Sequence, residues 1–101
     1  MRVLPQNQPA YEALMDRVAE QVRTHEADGV PYYAWAKSVD ALDTYVVIEV
    51  YRDLAAHEAH MASAWVQESI PVSRGLVEGK FDIQQYVTPG AEPVTLFVSN
   101  R

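Results

Sequence analysis

Apolar residues in the first quarter of the chain recur at helical spacing. The residues of this apolar stripe are Tyr11, Leu14, Val18 and Val22. Charged residues occupy the other sides, so the pattern predicts an amphipathic helix over about 9–25. Asn7 is the predicted N-cap, and Pro9 is compatible with the first helical turn. Asp28-Gly29 is predicted to end the helix, with the glycine in the left-handed conformation.

The next two segments have the composition of strands. Residues 31–38 are rich in aromatic side chains, and residues 45–51 are apolar on both faces apart from Glu49. A short polar turn separates them, which predicts an antiparallel hairpin. The second strand is predicted to be central in its sheet because both of its faces are apolar. Residues 1–4 add at most a short stub of strand.

A second helical region is predicted to begin at Asp53, which is suited to an N-cap. Leu54, His57 and Met61 follow at helical spacing, with His60 beside them. The helical pattern continues over 63–77, where Pro71 is expected to kink or restart the helix. Residues 81–87 are predicted to form the last main strand. A further edge strand or arm is predicted at 94–98.

This order of elements predicts an α+β fold. A strand stub, a helix, two strands, a broken helix and a strand give a βαββαβ, ferredoxin-like split βαβ with an antiparallel sheet and helices on one face. Residues 1–87 are predicted to form this domain and 88–101 a C-terminal tail. The other sheet face also carries apolar side chains. Burying that face against a second copy predicts an isologous homodimer.

Composition narrows the possible partners. The 101 residues suffice for one domain, and none is cysteine, which excludes disulfides and thiolate metal sites. No apolar run reaches the roughly 18 residues that cross a bilayer, so a cytoplasmic protein without membrane contact is predicted. Fourteen acidic and 8 basic side chains give a net charge of −6. An acidic surface repels phosphate backbones, so no nucleic-acid partner is expected.

Two consecutive segments resemble a known family. Residues 45–53 read YVVIEVYRD, and residues 56–63 read AHEAHMAS. An apolar strand that ends in Glu-x-aromatic-x-Asp, followed by a helix with a histidine three residues before a serine, resembles the antibiotic-biosynthesis monooxygenase-like domains. The resemblance implies a dimeric α+β barrel with a pocket between sheet and helices. It also implies several possible activities, since some members are cofactor-free oxygenases of anthrones or quinols, while others degrade haem, process a signalling sugar derivative or have no assigned activity.

The chain departs from that family at two places. The first strand of the family runs about twice as long as residues 1–4. In haem-degrading members, a tryptophan stands early in the second helical segment and a histidine follows about ten residues later. Here His60 takes the place of the tryptophan, and Ile70 stands ten residues on. We therefore rank haem degradation low and expect no cofactor.

Three side chains are candidate catalytic groups. His60 matches the helix histidine of the family, and a neutral imidazole can accept a phenolic proton. His57 lies on the apolar stripe of the helix, either as a satisfied core group or as a polar group in the cavity. Glu49 is a charge inside a strand, which predicts an ion pair with Arg52, Lys37 or Arg74, or a base if it faces the cavity. The spacing of the two histidines also suits a metal, but no third ligand is indicated, so no metal site is expected.

A group of aromatic and apolar side chains is predicted to bind the substrate. Each is an ordinary core residue by default, but its polar tip or flat face can also orient an aromatic ligand. The predicted substrate-binding residues are Tyr33, Trp35, Tyr45, Tyr51, Met61 and Trp65.

The sequence therefore predicts a homodimeric, cofactor-independent monooxygenase that acts on a small aromatic such as a quinol or anthrone, with O2 as its second substrate. Two alternatives remain open. One is a non-enzymatic ligand-binding or dimerisation module, and the other is an O2-independent, isomerase-type proton transfer. Glycine-rich nucleotide loops and the Gly-x-Ser-x-Gly elbow of hydrolases do not occur in the sequence.

Overall fold

The first helix extends over Gln8–His25 (α1) in the computed structural model, which describes residues 1–86. One 3₁₀ turn, Pro5–Asn7, precedes it. The predicted apolar stripe is buried and also includes Met15 and Ala19. Asn7 occupies the N-cap position, but its side chain makes no capping hydrogen bond. The helix is confirmed, whereas the capping contact is not formed.

The predicted role of Gly29 in ending α1 is wrong. The helix ends at His25, and among the described residues only Asp43 and Gly79 have a positive φ. Gly29 instead lies against α2 (Leu54–Ala62). A Cβ atom on Gly29 would stand 2.9 Å from the Cβ atom of Ala56. The absence of a side chain therefore permits a close approach between this segment and α2.

The hairpin is formed as predicted. Strand β1 (Tyr32–Lys37) pairs antiparallel with β2 (Tyr45–Val50), and Tyr33 stands opposite Glu49. Because successive side chains alternate between the two faces, Tyr33, Trp35, Tyr45, Val47 and Glu49 share one face. Within this face, Tyr33 stands directly opposite Glu49 and Trp35 directly opposite Val47.

The stub of strand at the N-terminus lies between two other segments. Arg2 forms isolated antiparallel bridges with Thr44 on one side and Glu78 on the other. The backbone N–H of Glu78 donates to the carbonyl of Arg2 at 2.7 Å. This arrangement agrees with a split βαβ topology, in which the first strand is inserted beside the second strand of the hairpin. Among residues 1–86, the second edge of β2 is paired only near its beginning.

The second helical region is divided at Ser63. Asp53 caps α2 as predicted, since its Oδ1 accepts from the N–H of Ala56 at 2.8 Å. Ser63 ends α2 and is the N-cap of α3 (Ala64–Leu76), where its hydroxyl accepts from the N–H of Val66 at 3.4 Å. The helix does not restart at Pro71, because Pro71 lies inside α3. A serine that caps a new helix is the stronger interruption here.

The predicted last strand is wrong over 81–86. These residues carry no strand assignment, and the pairing of this part of the chain is limited to the bridge at Glu78. Two backbone bonds of a single bridge do not extend into a ladder. Residue 87 and the predicted edge strand or arm at 94–98 lie outside the described residues.

Helices and sheet enclose one core. Tyr33, Trp35 and Val47 pack from the inner sheet face against buried residues of α1. The opposite face is open, and Val46, Ile48 and Val50 are each nearly half exposed. The result is an α+β architecture with helices on one face of an antiparallel hairpin, which confirms the predicted fold class. Within residues 1–86, every helix is too short or too polar to span a membrane.

Candidate functional site

His60 occupies the centre of the helix–sheet interface. It lies on α2, and its side chain is only 3% exposed. Its Nδ1 atom is 3.1 Å from both carboxylate oxygens of Glu26. Its Nε2 atom is 3.2 Å from Oε1 of Glu49. Both ring nitrogens therefore face carboxylates that come from different elements of the fold.

Glu26 follows α1 directly, and its side chain is 10% exposed. Besides contacting His60, it accepts a hydrogen bond from Nε1 of Trp65 at 2.6 Å. Trp65 also stacks on His25, with 4.9 Å between the ring centroids. The carboxylate of Glu26 therefore connects the end of α1 with both α2 and α3.

Glu49 reaches the same imidazole from the sheet. Its Oε1 atom accepts a hydrogen bond from the phenol of Tyr51 in addition to its contact with His60. The side chain of Glu49 is 32% exposed. Within residues 1–86, its Oε2 atom has no hydrogen-bond partner. One oxygen of this carboxylate is thus held by the protein, while the other remains available.

The two carboxylates determine the charge of the imidazole. Burial alone lowers the pKa of His60, but the hydrogen bonds and charges of Glu49 and Glu26 outweigh burial and raise that pKa above its usual value. For Glu49, burial acts to raise the pKa. Its hydrogen bonds with His60 and Tyr51 and the charges of the two nearby histidines overcome that effect and lower the pKa. The arrangement favours an imidazolium at His60 beside an ionised Glu49.

His57 has a different environment although it lies one helical turn away. Its side chain is 6% exposed, and the ring of Tyr51 contacts it edge to face at 4.9 Å. Burial and the charge of His60 lower the pKa of His57. Within residues 1–86, its ring nitrogens have no hydrogen-bond partner. His57 is therefore held as a neutral imidazole, with nitrogens that the described residues leave unbonded.

We refer to this group as the histidine cluster. Its members are Glu26, Glu49, Tyr51, His57, His60 and Trp65. Tyr33 borders the cluster, since its ring lies 5.6 Å from that of His60. Burial and then the charge of Glu49 raise the pKa of Tyr33. Burial and the same carboxylate also raise the pKa of Tyr51, so both phenols remain protonated donors.

A second group lies farther along the same sheet face, which we call the tyrosine cluster. Its members are Tyr11, Glu12, Asp16, Trp35 and Tyr45. Tyr45 is 1% exposed and donates its phenolic hydrogen to Glu12. Trp35 donates Nε1–H to Asp16 at 2.9 Å. Tyr45 is four residues before Glu49, so the two clusters are about 13 Å apart along β2.

The predicted site residues are thus divided between two places. The three candidate catalytic residues, together with Tyr51 and Trp65, come together in the histidine cluster, with Tyr33 at its border. Trp35 and Tyr45 belong to the tyrosine cluster. Met61 is half-buried on α2, and its carbonyl accepts from Gln67 at 2.6 Å. The predicted ion pair of Glu49 with a lysine or arginine is not formed, because His60 and Tyr51 hold that carboxylate.

The sequence reasoning missed Glu26. A carboxylate at the C-terminal end of a helix is disfavoured by the helix dipole, so an acidic residue at this position needs a cationic or donor partner. That conflict is a signal in the sequence, although it does not identify His60 as the partner. Among residues 1–86, no three acidic, histidine or cysteine side chains form a group suited to a metal ion.

Comparison with known proteins agrees with the arrangement of the strand and the histidine-bearing helix. A family model described as antibiotic biosynthesis monooxygenase matches residues 1–70. The match includes α1, the hairpin, α2 and half of α3, and therefore all members of the histidine cluster. The chain matches no curated protein and no solved structure.

Proposed function

Because the chain belongs to the antibiotic biosynthesis monooxygenase family, we propose that it oxidises a small electron-rich aromatic, of the quinol or anthrone type, with O2 and without a bound cofactor. The observation that carries the proposal is the pair of differently charged histidines beside an available carboxylate oxygen. A family with varied activities does not determine the reaction by itself. The proposal therefore depends on what these side chains can do.

We assign proton removal to His57 rather than to His60. Both nitrogens of His60 face carboxylates at 3.1 and 3.2 Å, so it has no lone pair directed at a substrate. His57 is neutral, and its nitrogens are unbonded among residues 1–86. Burial and the charge of His60 lower its pKa, which favours the neutral form that can accept a proton.

The other members of the histidine cluster position the substrate. Oε2 of Glu49 accepts a hydrogen bond from a phenolic hydroxyl of the substrate. His60 acts as a positioning residue, because it keeps Glu49 ionised and fixes the orientation of its carboxylate. Tyr51 does the same through its hydrogen bond to Oε1, the oxygen that also contacts His60. Preorganised groups of this kind reduce the reorganisation that the reaction requires.

For an anthrone, the overall reaction converts a CH2 group and O2 into a ketone and one water. His57 takes one C–H proton, and the resulting carbanion passes one electron to O2. The carbon radical and superoxide combine through a new C–O bond, and the peroxide anion recovers the proton from His57. Loss of the second C–H proton with cleavage of the O–O bond then releases water. One oxygen atom enters the product, and the other leaves as water, so O2 accepts all four electrons.

The test is oxidation of an anthrone and quinol panel under 18O2, with O2 uptake measured against buffer alone. We expect one labelled oxygen per ketone formed. His57→Gln is expected to lower the turnover rate by about 10²–10⁴-fold, the usual contribution of a general base. His25→Gln is the matched control, because it removes an exposed histidine that contacts the cluster only by stacking on Trp65. Substrate loss at an unchanged rate without O2 would contradict oxygenation and favour isomerisation.

The non-enzymatic alternative has its own supporting observation. A histidine whose two nitrogens are bound by carboxylates also serves as a structural connection between α1, α2 and the sheet. If the panel binds but no member is converted faster than in buffer, the scaffold is a ligand-binding module and our proposal is wrong.

We also propose that the protein is a homodimer that covers the outer sheet face. Val46, Ile48 and Val50 are exposed by 49, 46 and 45%, and Tyr32 beside them by 53%. An uncharged strip of this kind on an antiparallel sheet is suited to an isologous contact. Ile48→Asp is expected to reduce the mass measured by light scattering from twice 11.4 kDa to 11.4 kDa. Val39→Asp, which changes an exposed apolar residue outside the strip, is expected to leave the dimer intact.

A further inference from the structure

An open cleft lies between the last turn of α1 and the beginning of β1. Its volume is about 540 Å³, which is within the range of small-molecule sites. The lining is mainly apolar and includes Ala27, Val30, Pro31 and Ala34. Arg23, Tyr32 and Tyr33 supply its polar groups. The cleft thus combines an apolar floor, two phenols and one guanidinium.

Arg23 is the one charged residue among the described residues of this lining, and it lies exposed on α1. Within residues 1–86, Arg52 pairs with Asp28 at 2.6 Å and with Asp53 at 3.4 Å, whereas Arg23 has no ion pair. Glu26, one helical turn further on, is instead directed to His60 and Trp65.

Tyr33 connects the cleft with the histidine cluster. It lines the cleft, its ring lies 5.6 Å from the ring of His60, and it stands opposite Glu49 in the hairpin. A flat ligand against Tyr33 is therefore separated from the cluster by a single side chain. Tyr33 is thus a wall that the cleft and the histidine cluster share.

We propose that this cleft binds the carboxylate-bearing end of an aromatic acid, with Arg23 as the ligand of the carboxylate and Tyr33 against the ring. A guanidinium binds a carboxylate through two parallel hydrogen bonds, which a neutral amide cannot reproduce. The inference rests on the proposed function, since it narrows the substrates to electron-rich aromatics with an acidic substituent. It also makes Arg23 a determinant of specificity.

The experiment measures equilibrium binding to the full chain by calorimetry in buffer free of O2. Its probes are naphthalene-2-carboxylate, the neutral naphthalene-2-carboxamide and the cationic naphthalen-2-ylmethylammonium. We expect the carboxylate to bind about tenfold more tightly than the amide, as hydrogen bonds to a charged group provide. The cation is expected to bind most weakly. Arg23→Gln should remove the preference for the carboxylate.

Arg17→Gln is the matched control. It removes the same charge from an exposed position of α1 outside the cleft, and it should leave the preference unchanged. Circular dichroism of both variants checks the fold, and amide shifts at Ala27 and Ala34 locate the probe. Equal binding of carboxylate and amide, or an equal loss in both variants, would overturn the inference.

The two proposals fail separately. Binding of the carboxylate that depends on Arg23, without oxidation of any substrate, leaves the cleft assignment intact and contradicts the monooxygenase. Oxidation of neutral quinols without any preference for the carboxylate supports the monooxygenase and contradicts the cleft assignment.

Discussion

The histidine cluster and the tyrosine cluster lie on the same sheet face and contain similar parts. In each, a tyrosine of the sheet region donates to a glutamate, and a tryptophan donates to a carboxylate. Of the two clusters, only the histidine cluster contains imidazoles. Only there does one glutamate, Glu26, connect the end of α1 with α2 and α3. The comparison separates a pattern that holds the sheet against α1 from one that also contains groups able to titrate near neutral pH.

Burial and charge differ between the two clusters as well. The phenol of Tyr45 is buried, which raises its pKa to about 12, and its hydrogen bond with Glu12 acts in the same direction. The phenol of Tyr45 therefore does not change its protonation state near neutral pH. The histidine cluster contains groups whose usual pKa values lie within the physiological range. Removing matched members of each cluster should therefore have unequal effects.

The largest effect is expected from His60→Leu. This change leaves Glu26 and Glu49 directed at a site that no longer carries a cation. Removing one partner of a buried ion pair typically lowers the free energy of unfolding by about 3–5 kcal/mol. Tyr45→Phe in the tyrosine cluster removes one hydrogen bond and should lower it by about 1 kcal/mol. Denaturant unfolding at pH 6 measures both.

If His60→Leu lowers the free energy of unfolding no more than Tyr45→Phe does, the ion pairs of His60 contribute nothing beyond an ordinary hydrogen bond. A triple variant that combines His60→Leu with Glu26→Gln and Glu49→Gln tests the cause of the loss. It removes the uncompensated carboxylates and should recover part of the loss.

The next effect concerns the two tryptophans, which form a matched pair. Trp65→Phe removes a hydrogen bond of 2.6 Å to the buried carboxylate of Glu26, and Trp35→Phe removes one of 2.9 Å to the exposed Asp16. We expect the first change to lower the free energy of unfolding by about 1.5–3 kcal/mol, because the acceptor is charged and desolvated. The second should lower it by less than about 1 kcal/mol. Equal losses would show that burial does not distinguish the two clusters.

Local patterns in the sequence predicted the scaffold of both clusters. The spacing of Tyr11 and its neighbours specified α1, and alternation specified the hairpin, since these depend on residues close in the chain. Asp53 was identified as a cap for the same reason. The partner of Glu49 was not predicted, because His60 meets it only after α2 packs on the sheet. Glu26 and the close approach at Gly29 depend on the same long-range packing.

Two errors have physical causes that also apply to other short domains. The helical region restarts at Ser63 and not at Pro71, because the Ser63 hydroxyl caps the first turn of α3. Residues 81–86 were predicted to form a strand, but a strand needs a neighbouring edge to pair with. The stub at Arg2 provides only one bridge, at Glu78.

A smaller effect is expected from the glycine that holds α2 beside the histidine cluster. Gly29→Ala places a Cβ atom 2.9 Å from that of Ala56, so α2 must shift, and the free energy of unfolding should fall by about 1–3 kcal/mol. Gly75→Ala is the control, because nothing lies within 4 Å of its Cβ position in α3. It should raise the free energy of unfolding by up to about 1 kcal/mol. A neutral Gly29→Ala would mean that α2 is loosely attached.

The smallest expected effect is the change in the free energy of unfolding with each unit of pH. It tests the charge of the histidine cluster directly. The pKa of His60 is raised on folding, so its contribution to stability is complete below its unfolded pKa of 6.5 and is lost as the pH rises through the folded pKa. The pKa of Glu49 is lowered, so its contribution is complete above 4.5 and is lost as the pH falls through the folded pKa. The two contributions coincide between pH 4.5 and 6.5.

His57 acts in the opposite sense, since its lowered pKa favours the folded state above 6.5. His57 is present in both the wild type and His60→Gln. Subtracting the free energy of unfolding of this variant from that of the wild type at each pH therefore largely removes the contribution of His57. This difference should decline above pH 6.5 with a slope of at most about 1.4 kcal/mol per pH unit. The same difference for Tyr45→Phe should stay flat up to pH 9. A flat curve for His60→Gln would mean that folding does not raise the pKa of this imidazole. His60 would then no longer be the fixed cation that distinguishes the histidine cluster from the tyrosine cluster.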